Sequence, residues 1–110
     1  MKIWKIRVIK EYKEAHSHLL VGEVLEETQN YVRLKCRTFH FGKCVQLAKD
    51  INCGVVAERI IPWGRIEIIN VNDPKFDYER AKTVKTADNA FILSDGRHSC
   101  GVYNVKEESF

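Results

Sequence analysis

Residues 31–39 read YVRLKCRTF. Val32, Leu34 and Cys36 fall on one parity; Tyr31, Arg33, Lys35 and Arg37 fall on the other. Side chains of a strand alternate between faces, so the stretch predicts a strand with one core face and one basic face. This reading decides between two different molecules, because Cys36, His40 and Cys44 recur at intervals of four residues. On a helix that spacing would set metal-ligating side chains in a row on one face. On a strand ending near Phe39, Cys36 is a small buried hydrophobe. Gly42 then turns the chain, and His40 and Cys44 become loop-side residues.

Upstream, residues 3–9 read IWKIRVI, with Trp4, Ile6 and Val8 apolar against Lys5 and Arg7. That predicts a half-buried first strand, although Trp4, Val8 and Tyr12 also recur at a helical interval. Residues 18–27, HLLVGEVLEE, predict a second strand in which Leu19, Val21 and Leu25 share a face. Gly22 in its middle points to a sharp bend or a close approach of two backbones. Thr28-Gln29-Asn30 is a polar turn. Downstream, residues 45–49 read as a helical turn or a strand extension, and Asn52-Cys53-Gly54 as a turn. Residues 55–61 predict a fourth strand and 66–71 a fifth. Pro62-Trp63-Gly64-Arg65 between them forms a tight corner, since proline fixes φ and glycine admits conformations other residues avoid. Asp73 and Pro74 suit the start of a helix reaching about Lys82. Asp95-Gly96 between the apolar runs 90–93 and 98–105 predicts a hairpin.

The expected fold is mostly β: a small, strongly bent, five-stranded antiparallel barrel of the SH3-like or Sm-like kind over residues 1–71. A C-terminal extension, residues 72–110, is expected to add a short helix and a β-hairpin packed on the barrel.

At 110 residues and 45% hydrophobic content, the chain has the size of one domain with a modest core. Eighteen basic against fifteen acidic residues leave a formal charge of +3, a mild bias compatible with a polyanionic partner. No apolar run reaches the length of a membrane span, and the charged residues through 1–13 do not suit a signal peptide. The expected location is therefore the cytoplasm, with the cysteines reduced. No two cysteines stand in the C-x-x-C pairs typical of zinc sites, so no metal or other cofactor is expected. Were a metal bound, Cys44, Cys53, His40 and His98 would be the loop-side candidates. His16, His18, His40 and His98 lack a nucleophile at motif spacing, Cys44 has no reactive-cysteine context, and no phosphate-cradling glycine loop occurs. The expectation is a non-enzyme with no catalytic residue.

Gly22-Glu23-Val24, the polar turn and Tyr31-Val32-Arg33-Leu34 together resemble the first signature of the Sm-like proteins, the group that includes LSm proteins and bacterial Hfq. Residues 60–69, IIPWGRIEII, resemble the second signature, two short strands joined by a glycine-containing corner. The resemblance covers about residues 3–71. It implies a homo-oligomer, in that family a ring in which the fourth strand of one subunit pairs with the fifth of the next. It also implies binding of single-stranded RNA at the rim, carried here onto Thr28, Asn30 and Tyr31 in one loop and Trp63, Gly64 and Arg65 in the other. Tyr31 and Trp63 offer faces for base stacking, Asn30 can pair with a base edge, and Arg65 can meet a phosphate. Each has a plainer reading beside this one. Trp63 can plug one end of the barrel, with a partner for its indole N–H. The stripe Arg33, Lys35 and Arg37 can be a solvated face paired with Glu23 and Glu27. The alternative function is a protein-interaction or scaffold module that binds no nucleic acid.

Overall fold

A computed structural model describes residues 1–11 and 15–104. Gly22 shows why the sheet forms as it does. A Cβ at this position would stand 2.5 Å from Cys36 Cα and within contact distance of the Lys35 carbonyl oxygen. Strands β2 (Ser17–Glu27) and β3 (Tyr31–Phe41) cross here at a separation only glycine permits, with Gly22 opposite Cys36. β1 (Ile3–Val8) pairs antiparallel with β2 on one side and with β6 (Ile66–Asn72) on the other. The far side of β3 carries β4 (Asn52–Cys53) opposite Phe39 and His40, and β5 (Ala57–Pro62) opposite residues 31–36.

The fold is mostly β, and all five strands expected over residues 1–71 are present, in the spatial order β6-β1-β2-β3-β5. They do not close into a barrel. β5 and β6 lie on opposite edges and share no backbone pairing, although only a 3-10 turn, Trp63–Arg65, separates them. The sheet instead curls around an apolar cluster. Trp4, Ile6, Leu20, Val32, Leu34, Cys36 and Ile61 are buried there, with Val8, Trp63, Ile66 and Ile69 packed against them. Both edges of the sheet contribute, so side-chain packing rather than a hydrogen-bond ladder holds them together.

Pro62, at φ −61°, sets up the corner. Gly64 does not take a positive φ, and a Cβ there would meet nothing within 4 Å. The corner therefore does not depend on the conformational freedom of glycine.

The C-terminal segment departs from expectation. Residues 73–82 form no helix. Asp73 Oδ1 accepts from the Lys75 N–H at 2.8 Å, a local cap as the sequence suggests. The chain then continues as turns, because Phe76, Tyr78 and Ala81 are all buried and the first two alternate at strand spacing. The Tyr78 carbonyl accepts from Arg37 at 2.8 Å instead of closing a helical turn, and the Ala81 carbonyl accepts from the same guanidinium at 2.7 Å. A three-stranded antiparallel sheet follows, made of β7 (Lys82–Lys85), β8 (Phe91–Ser94) and β9 (Ser99–Tyr103). The hairpin between β8 and β9 is present, with Gly96 at φ +95°. Asp95 secures it by accepting from the N–H groups of Arg97 and His98. The end expected for the last strand, Val105, lies outside the described residues.

This second sheet covers the outer face of the first. Ile3, Leu19, Val21, Phe39 and Phe41 pack with Phe76, Tyr78, Phe91, Leu93, Cys100, Val102 and Tyr103 in one buried cluster. Tyr103 meets the Phe41 ring edge-on at 5.4 Å and donates its hydroxyl to the Lys43 carbonyl at 3.1 Å. Residues 19–22 of β2 are thus buried on both faces, while at the end of β3 Phe39 and Phe41 are buried on the outer face and Thr38 and His40 stay half-buried on the inner one. No helix among the described residues is long and apolar enough to cross a membrane.

Candidate nucleic-acid interface

The two loops marked out by the sequence meet. Trp63 donates its indole N–H to the Thr28 carbonyl at 2.7 Å and its backbone N–H to the Asn30 carbonyl at 3.2 Å. Thr28 closes its own turn, its hydroxyl oxygen accepting from Tyr31 N–H at 3.0 Å and from Asn30 N–H at 3.2 Å. All six predicted rim residues, Thr28, Asn30, Tyr31, Trp63, Gly64 and Arg65, therefore come from two joined loops at one end of the curled sheet.

Their side chains are unequally available. Asn30, Gly64 and Arg65 are exposed. Trp63 is half-buried, packs against the inner cluster and has its N–H engaged, so the plug reading describes its contacts. Tyr31 is half-buried and its hydroxyl lies 3.3 Å from Glu26 Oε1. Arg65 Nη1 lies 3.5 Å from Glu11 Oε1.

No family model, curated protein or solved structure matches the chain.

The basic stripe of β3 is internally paired, and with partners other than those expected. Arg33 bridges Glu26 and Glu58, and Lys35 meets Glu79 at 3.3 Å. A bulge between Val24 and Glu26 shifts the register and sets Glu26 opposite Arg33, while Glu27 turns to Lys2. Arg37 is a staple: besides its two carbonyls it donates from Nη2 to Cys53 Sγ at 3.0 Å and covers the Phe39 ring at 5.3 Å.

Cys36 is core, as the alternation predicts, and burial pushes its thiol pKa up to about 11. Cys100 is buried likewise, its thiol also pushed up to about 11, while Cys44 and Cys53 are exposed. His40 belongs to β3 rather than to a loop, because the strand runs on to Phe41. His98 lies elsewhere, between Asp73 and Asp95. Among the described residues, no three or more His, Cys, Asp or Glu side chains converge as a metal ion would require.

One grouping escaped the sequence reading. His18 stands opposite His40 in the β2–β3 register, their rings stacked at 5.4 Å, and His16 lies 6.3 Å from His40. Burial, then the nearby His40 and His16, hold the His18 pKa below the ordinary imidazole value. The i, i+2 spacing of His16 and His18 is visible in the sequence; the partner across the sheet is not.

Proposed function

We propose that the protein is a self-associating, non-enzymatic β module that assembles head to tail. The free edge of β5 on one copy pairs with the free edge of β6 on the next. One observation carries this reading. The terminal strands of the curled sheet each have one unpaired backbone edge among the described residues, and each exposes apolar side chains: Ile60 at 59% on β5, Ile68 at 50% and Val71 at 76% on β6. Unpaired apolar edges recruit further strands. Because the two edges differ, repeated pairing is heterologous and gives a ring where the rotation closes. The strand order supports the likeness to Sm-like proteins, and the C-terminal sheet packs on a face without pairing either edge. The reading assigns the module to the cytoplasm, where its cysteines stay thiols.

Light scattering after size exclusion tests it. The expected result is a closed oligomer for the parent chain and a monomer for Ile68→Lys combined with Ile60→Lys. A parent chain that is monomeric at every concentration sinks the proposal.

A second reading adds single-stranded RNA at the rim. It is favoured by the joining of the two loops through Trp63, which leaves Asn30, Gly64 and Arg65 exposed. Assembly would repeat that surface and gather its charge. Short RNA homopolymers should then bind the oligomer at low salt and release as salt rises. An oligomer that binds none of them removes the RNA reading and leaves the assembly standing.

A further inference from the structure

The inner face of the curled sheet changes character along its strands. On β2 it runs from Gly22 and Leu20 to His18, with His16 just before the strand; on β3 it runs from Val32, Leu34 and Cys36 to Thr38 and His40. Where the apolar residues stop, the curl is no longer filled. A cavity of about 630 Å³ opens there, lined by Val8, Leu20, His18, His16 and Thr38, with Lys10, Glu11 and Arg65 also on its wall.

We propose that this open end binds a small organic anion: one acidic group on an apolar body. The volume lies in the range of small-molecule sites, which span roughly 300–1,000 Å³. Val8 and Leu20, both members of the inner cluster's packing, provide the apolar surface. Among the described lining residues the two basic side chains, Lys10 and Arg65, outnumber the one carboxylate, Glu11, and the imidazoles of His16 and His18 add hydrogen-bonding groups. The Arg65–Glu11 contact marks where the acidic group goes. At 3.5 Å, with both side chains largely exposed, it is a loose ion pair of small net value. A ligand carboxylate, sulfonate or phosphate can replace Glu11 and meet the guanidinium with two parallel hydrogen bonds. Neither the assembly edges nor RNA enters this inference.

The test titrates the full chain with anilinonaphthalene sulfonate, which has both required parts, and follows fluorescence and backbone amide NMR shifts. The controls are phenylnaphthylamine, which has the body without the charge, and inorganic phosphate, which has the charge without the body. The expected result is one saturable site with shifts at Val8, His18, Leu20 and Thr38. Arg65→Gln, an exposed position whose fold is checked by circular dichroism, should weaken it about tenfold, as losing one charged hydrogen bond does. Each control should bind at least as weakly as the sulfonate does to that variant. Shifts confined to other surfaces, unchanged affinity in Arg65→Gln, or equal binding of phenylnaphthylamine would each overturn the assignment.

Discussion

The indole of Trp63 and the carbonyl of Thr28 are hydrogen-bonded across 35 residues of chain, at 2.7 Å. This bond ties the corner between β5 and β6 to the turn between β2 and β3. Trp63→Phe keeps an aromatic face but removes the donor. Stability should fall by about 1–2 kcal/mol, since the Thr28 carbonyl loses its partner. Urea denaturation should show a lower midpoint at unchanged slope. RNA binding that survives this change and fails in Trp63→Leu would give the ring a stacking role as well.

Gly22→Ala tests the crossing of β2 and β3. The added methyl meets backbone, which cannot rotate away, so the strands must separate. The cost should be about 1–3 kcal/mol, in the range of overpacked cores. Gly64→Ala, where a methyl meets open space, is the contrast and should leave the melting temperature unchanged.

Arg37→Lys should loosen the attachment of the second sheet. A single ammonium cannot reproduce the fork that serves Tyr78, Ala81 and Cys53. A loss of about 1–3 kcal/mol is expected from the carbonyl left without a donor. Hydrogen exchange should rise first in residues 76–103. Uniform exchange across both sheets would sink the staple role.

Acid should weaken the fold in two stages. The His18 pKa is lowered in the folded protein, so the unfolded chain binds more protons below pH about 6.5. This contribution is intact at neutral pH and is lost as pH falls from the unfolded value through the folded one. Among the described residues, the titratable groups facing the imidazole are His40 and His16, with Lys10, Glu11 and Arg65 around the same cavity. Asp95 follows at lower pH. The N–H groups of His98, Asp77 and Arg97 hold its carboxyl well below the usual carboxylate range, so its contribution disappears as pH drops below the unfolded value. His18→Gln should flatten the melting temperature between pH 7 and about pH 5. An identical profile in both proteins would count against the stacked histidines.

Thiol titration separates the cysteines. Cys44 and Cys53 are exposed and should react with an aromatic disulfide at neutral pH, while Cys36 and Cys100 should react only after unfolding. Four equally fast thiols would contradict the burial of Cys36.

The alternation of residues 31–37 made β3 legible, and with it the core position of Cys36. The same strand carried a further signal. On its odd parity the residues change from Arg33, Lys35 and Arg37 to Phe39 and Phe41, which announces a second apolar layer. The sequence reading stopped at Phe39 and so missed it. The helix expected after Asp73 failed for a related reason. Local capping signals are present, but the Tyr78 carbonyl, which a helix reaching Lys82 would use, is claimed by an arginine 41 positions away. The rim residues were found because they flank turns that can be read locally. The histidine stack and the cavity were not, since both depend on which residues of β2 and β3 stand opposite each other, and a bulge alters that register partway.

Burial of residues 19–22 of β2 on both faces has a consequence for dissecting the molecule. Cutting the chain after Asn72 would leave the curled sheet whole in its backbone pairing, yet bare at Ile3, Leu19, Val21, Phe39 and Phe41. Such a fragment would carry an oily flank that competes with its own edges for company, and its aggregation would mimic assembly. The two sheets should melt as one transition, and neither is a lodger on the other.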